Sequence, residues 1–150
     1  TYEYALDGLY VGDMPQQGLA LGGTLTPTPG LKVQALFNWY NRNFSDWSPS
    51  DREMEDGSGD RYQVWEAPSY SKLDLHATFD IPTTFDLGGS TVTMQAFVHV
   101  FNALDEIFVQ DAVDNSQYNS WGGTGNHDAD NAEVFLGHPR YFNAGVTFRF

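Results

Sequence analysis

Four histidines, twenty carboxylates and four tryptophans are the side chains of this 150-residue chain best suited to chemistry. Their spacing assigns them to walls and loops. His127 and His138 sit in loop-like stretches without the spacing of a zinc site. His76 and His99 fall at polar positions of two alternating segments, where hydrogen-bonded wall residues or ligand contacts belong. Asp111-x-x-Asp114-Asn115 and Asp128-x-Asp130-Asn131 offer hard oxygen ligands to calcium. They lack the glycine and the distal glutamate of an EF-hand loop, so no resident metal or cofactor is expected. Trp47, Trp65, Tyr118 and Trp121 lie beside carboxylates. Aromatics in that setting suit stacking on sugar rings or docking of a surface partner; they suit equally the packing of loops or a membrane-interface belt. There is no Gly-x-Ser-x-Gly, no nucleophile spaced to a base and no phosphate loop. No carboxylate pair stands out for glycoside cleavage. The chain has no cysteine, which removes disulfides and thiolate metal sites. An enzyme is not expected.

Alternating segments must carry these residues. Phe142, Ala144, Val146, Phe148 and Phe150 share one face of a strand, and Tyr141, Asn143, Gly145, Thr147 and Arg149 share the other. The same period runs through Gln17 to Thr26, Leu31 to Phe44, Tyr70 to Pro82 and Thr91 to about Phe108. In the last of these, Val92, Met94, Ala96, Val98 and Val100 oppose Thr93, Gln95, Phe97, His99 and Phe101. A weaker strand is expected over Thr1 to Val11. Pro27-Thr28-Pro29-Gly30 and the stretch 83–90 read as short turns. The stretches 45–69 and 109–140 read as long loops. Seven carboxylates fall within 45–69 and seven within 105–138, as expected of solvated loops. The formal charge of −13 excludes a nucleic-acid partner, because phosphate binding needs clustered Lys and Arg.

Two features of this layout predict an all-β, antiparallel, up-and-down transmembrane β-barrel. Several segments reach the 9–11 or so residues needed to cross a bilayer on a tilt, where globular strands average about 5–6. Short and long connections also alternate, which in a meander sorts them to opposite rims, as in outer-membrane barrels. The apolar registers, Val92, Met94, Phe148 and Phe150 among them, then face hydrocarbon. The polar registers, with His76, His99 and Arg149, face the lumen. Only about six strands are visible, fewer than the roughly eight that close the smallest barrel. Residues 1–150 are therefore expected to be part of a larger barrel, with earlier strands absent.

Several stretches resemble TonB-dependent outer-membrane receptors. Phe101-Asn102-Ala103-Leu104-Asp105-Glu106-Ile107-Phe108 is similar to the Asn-Leu-Phe-Asp-x-x-Tyr segment on that family's next-to-last strand, with Ala-Leu in place of Leu-Phe and Phe108 in place of Tyr. Gly137-His138-Pro139-Arg140, Tyr-Phe-Asn-x-Gly and the final Arg-Phe resemble its last strand. Ala67-Pro68-Ser69-Tyr70 leading into Leu73-Asp74 resembles the strand before those, and 110–116 is similar to the Bacteroidota branch. The resemblance runs from about Ala67 to Phe150 and is weaker before that, mainly at Gly12-Asp13-x-Pro15-Gln16.

The resemblance implies the C-terminal five to six strands of a roughly 22-stranded barrel in a Gram-negative outer membrane. The long loops would be extracellular and the C-terminus would lie at the periplasmic rim. It implies active uptake of a small nutrient (a siderophore, an oligosaccharide or a peptide) driven by TonB through an N-terminal plug absent here. A surface lipoprotein is a further partner the resemblance allows. The assembly signal read by the barrel-insertion machinery maps onto Asn143, Gly145, Phe148 and Phe150. The alternative is a secreted β-sandwich that binds carbohydrate, with or without calcium.

Overall fold

In the computed structural model the described residues are 3–4, 6–54, 62–116 and 127–150. The segments of period two become strands; those expected over Gln17 to Thr26 and Tyr70 to Pro82 run further than their composition suggests, whereas the one expected over Thr91 to about Phe108 stops at Phe101, where Asn102 turns the chain at φ 48°. In chain order the strands are β1 (Glu3–Tyr4), β2 (Pro15–Thr28), β3 (Leu31–Phe44), β4 (Glu53–Met54) and β5 (Glu66–Ala67). They continue with β6 (Tyr70–Leu87), β7 (Ser90–Phe101), β8 (Val109–Asp114), β9 (Ala132–Leu136) and β10 (Tyr141–Arg149). The main sheet has the order β10-β7-β6-β3-β2, with β5 paired to β3. β2 and β3 have 14 residues each, β6 has 18, β7 has 12 and β10 has nine. All five are at or above the length of a membrane-crossing strand, about 9–11 residues.

Glycine and proline set the geometry of this sheet. Gly88 and Gly89, at φ 60° and 89°, make the two-residue loop between Leu87 and Ser90, which face each other. Positive φ at both positions matches the right-handed twist of the flanking strands. The turn is therefore tighter than the expected span 83–90, and β6 continues to Leu87. Between Ile81 and Phe85 the register shifts: Ile81 faces Met94 and Phe85 faces Val92. Three residues of β6 stand there against Thr93 alone. The bulge starts at Pro82, which has no N–H to give the ladder.

β10 pairs with β7 without a break from Tyr141 opposite Phe101 to Arg149 opposite Thr93. Gly145 faces Phe97, and a Cβ built on Gly145 would lie 2.7 Å from the Phe97 ring. The ring thus lies across the glycine.

The chain divides into two compact units. One comprises residues 19–39, 71–106 and 138–150, and its strands all belong to the main sheet. One face of that sheet carries Leu75, Ala77, Phe79 and Ile81 beside Val100, Val98, Ala96 and Met94, then Phe142 to Phe148 in alternation. Among the described residues of this unit, no second sheet covers that face. Phe142 is 78% exposed, Val146 49% and Phe148 51%. Phe150, beyond the end of β10, is also exposed, and Met94 is half-buried. Val92, beside the bulge, is the exception and is fully buried.

The other unit comprises residues 1–18, 40–70 and 107–137. Its buried apolar residues are Phe44, Val64, Ala67, Phe108 and Ala112. The stretch 109–140, expected to be loop, holds the antiparallel pair β8–β9. A parallel bridge from Asp46 to Val113 ties the stretch after β3 to it. Among the described residues of the strand expected over Thr1 to Val11, β1 alone is strand; Gly8 turns at φ 82° and β1 pairs with β4.

Candidate functional site

The polar face of the main sheet gathers the greatest variety of reactive side chains. His76 on β6 stands directly opposite His99 on β7, and their Nδ1 atoms are 2.8 Å apart. The bulge creates this pairing. Continued from the turn, the register of Leu87 opposite Ser90 would set Thr78 against His99; the two extra residues of β6 bring His76 there instead. A nitrogen–nitrogen hydrogen bond needs one donor and one acceptor, so one imidazole carries its proton on Nδ1 and the other does not. The ring nitrogens left over supply at least one N–H to the surroundings.

Around the pair runs an aromatic strip. Phe97 stacks on His99, and the Phe101 ring meets His76 edge-on at 5.4 Å between centroids. Phe101 stacks on Tyr141 of β10 at 4.7 Å. Lys32, Gln34 and Thr78 join the two histidines in lining a recess of about 290 Å³. Further along the same face Arg149 Nη2 donates to Gln95 Oε1 at 3.2 Å, and Gln95 Nε2 donates to Asp80 Oδ1 at 2.6 Å. His76, His99 and Arg149 therefore share one face, as their registers predict.

The turn after β7 is a knot of side chain to backbone bonds. Asn102 is buried at φ 48°, a left-handed conformation that Asn tolerates better than most residues. Its Nδ2 donates to the carbonyls of Glu106 and His138, at 2.9 and 3.1 Å. Its Oδ1 accepts from the Glu106 N–H, and its own N–H donates to Asp74 Oδ1. Asp105, also left-handed at φ 57°, accepts from the Arg140 N–H and pairs with its guanidinium at 3.3 Å. Asn102 and Asp105 thus have a physical role that spacing alone does not disclose: they join the ends of β7 and β10.

In the second unit, Asp114 Oδ2 lies 2.7 Å from His127 Nδ1 and 3.7 Å from Arg52 Nη2, all nearly or wholly buried. Ser116 Oγ also approaches His127 Nδ1, at 2.9 Å. Ser, His and Asp are thus together, but serine and aspartate address the same ring nitrogen. A catalytic relay needs them on opposite nitrogens, so this is a hydrogen-bonded anchor. Sequence reading missed it because its members are scattered from residue 52 to residue 127.

Of the two oxygen-rich stretches, the first buries Asp114 and half-buries Asp111, while Asp128 and Asp130 of the second are exposed. Asp128 Oδ1 accepts from Asn131 Nδ2 at 2.8 Å. Asp13 is pushed up to about 6, first by a hydrogen bond with Asp111, then by burial and by the charges of Asp111 and Asp46. Among the described residues, no three histidine or carboxylate side chains converge as metal ligands do. Trp47 is half-buried, with Nε1 donating to the Tyr10 carbonyl at 2.9 Å. Trp65 is half-buried, and its carbonyl accepts from the Ser45 N–H. Tyr118 and Trp121 lie outside the described residues.

Fold and faces together define an all-β protein with antiparallel sheets, its main sheet apolar on one side and polar on the other. No family model, curated protein or solved structure matches the chain.

Proposed function

We propose that this chain is the C-terminal barrel segment of a TonB-dependent transporter in a Gram-negative outer membrane. On this reading it forms wall and outer mouth for nutrient uptake and performs no chemistry itself. The observation that carries the proposal is the β10–β7–β6 ladder, continuous between β10 and β7, which places Phe142, Val146 and Phe148, all exposed, on one side and His99, Gln95 and Arg149 on the other. In water, an apolar face of this extent would be a liability. In a bilayer it is the outer wall, and the polar face lines a wet interior.

The reading requires β2 and β10, at the ends of the strand order, to pair with strands outside this chain, because open edges are not tolerated in lipid. It also assigns Asn143, Gly145, Phe148 and Phe150 to the contact with the insertion machinery. The stretches 45–69 and 109–140, the second with β8 and β9, would belong to the extracellular loops. The test is extraction of the full-length protein from cell envelopes. Recovery only in detergent, with a gel mobility that changes on boiling, is expected. Recovery as a monomer in plain buffer would instead favour the secreted carbohydrate-binding sandwich.

A further inference from the structure

We infer that His76 and His99 form a two-imidazole site for a divalent transition metal of tetragonal preference, copper(II) or nickel(II), on the polar face of the main sheet. The inference is independent of the membrane reading, since it uses only one face of one sheet.

The two rings come from directly opposed residues of adjacent strands, so the backbone ladder fixes their separation. Their Nδ1 atoms are 2.8 Å apart, with ring centroids at 4.8 Å and planes at 62°. With metal–nitrogen bonds of about 2.05 Å, two imidazoles at a right angle about one ion have nitrogens roughly 2.9 Å apart, and at a tetrahedral angle roughly 3.3 Å apart. The observed spacing fits the right angle closely and falls about half an ångström short of the tetrahedral one. Square-planar and tetragonal nitrogen–oxygen sites suit copper(II) and nickel(II), whereas zinc(II) favours the tetrahedron.

A metal ion replaces the single proton between the two nitrogens. The donor ring changes tautomer: its Nδ1–H bond breaks and a proton is taken up at its Nε2 by way of water, so both imidazoles stay neutral with a free lone pair on Nδ1. Both lone pairs turn to one point by rotation about χ2, a soft torsion for histidine. Gln34 and Thr78, whose side chains carry oxygen, line the same recess; water completes the coordination. Lys32 lines the same recess, and its charge moderates affinity, as does Arg149 further along. Asp80, on the same face, offsets them in part. Phe97 and Phe101 flank the histidines and limit how far the rings turn, as outer-shell contacts orient ligands in established metal sites.

The test is titration of the full-length protein, in whichever buffer or detergent keeps it monodisperse, with copper(II), nickel(II) and zinc(II) salts. Nickel(II) is expected to bind more tightly than zinc(II), and the copper(II) electron paramagnetic spectrum should show coupling to two equivalent imidazole nitrogens. His76→Ala and His99→Ala should each weaken copper binding roughly tenfold or more, since even outer-shell losses cost about 10–100-fold. His138→Ala should leave it unchanged. Zinc binding as tight as nickel, a copper spectrum with one nitrogen or none, or full affinity in the two variants would overturn the inference. The spectrum of the unaltered protein decides the matter if a variant fails to fold.

Discussion

Replacing Val146 and Thr147 in turn by arginine separates a sheet face in hydrocarbon from one in water. The two residues are neighbours on β10, both exposed, and point to opposite faces, Val146 opposite Ala96 and Thr147 opposite Gln95. β10 has nine residues; at about 3.4 Å per residue it runs close to 30 Å. On a tilt of about 45° it rises roughly 20 Å, within an apolar band of about 25 Å. On the proposed reading, Val146, one residue past the middle of the strand, lies within a few ångströms of the bilayer centre. An arginine there costs about 2–4 kcal/mol, which is roughly a 30- to 1,000-fold loss in the folding equilibrium at 1.36 kcal/mol per tenfold. At position 147 an arginine meets the Gln95 amide and the nearby Asp80 carboxylate on the polar face, so a change within about 0.5 kcal/mol is expected. The assay is equilibrium unfolding of the full-length protein in urea from lipid vesicles, with folded and unfolded forms resolved by gel mobility without boiling. A large loss for Val146→Arg beside little change for Thr147→Arg is expected. Equal midpoints for the two variants would refute the reasoning, because water on both faces makes both substitutions ordinary surface changes.

Three further outcomes follow from the packing. Asn102→Ala removes the side chain that serves the Glu106 and His138 carbonyls and places alanine at φ 48°; a loss of about 2–4 kcal/mol is expected from left-handed strain and unmet carbonyls together, read as a lower unfolding midpoint. Asp114→Ala leaves the buried Arg52 and His127 facing each other without the carboxylate between them, and breaking a buried pair costs about 3–5 kcal/mol; an unchanged midpoint would show that the anchor contributes nothing. Asp13 has a folded-state value raised to about 6, so between about pH 4 and pH 6 the folded protein holds more proton than the unfolded chain, and stability falls as pH rises through that window. Asp13→Asn, which also suits φ 62°, should abolish that slope in a pH series of unfolding midpoints; parallel profiles would count against the shared proton.

The strand faces are legible in the sequence because period two is strict where one side is apolar and the other polar, as from Leu75 to Ile81 and from Phe142 to Phe150. The Gly-Gly turn is legible in kind but not in extent, since Thr83 to Leu87 carries no stop signal. β8 and β9 were not legible: six and five residues, short and set among Asn, Asp, Ser and Gly, resemble loop until they find each other. The placement of His76 and His99 on one polar face follows from alternation. Their direct opposition does not, because it depends on how many residues Pro82 throws out of register. The Arg52–Asp114–His127 anchor leaves no local trace, being assembled from three separate stretches.

The Phe97 ring over Gly145 bears on how β10 finds its partner. A slip of one position would turn every phenylalanine of β10 to the wrong side. A slip of two would keep the sides correct but bring Asn143 or Thr147, each with a Cβ, under a ring that leaves no room for one. The glycine is the notch and the ring its key. Of all the offsets at which the final strand might dock on β7, one seats.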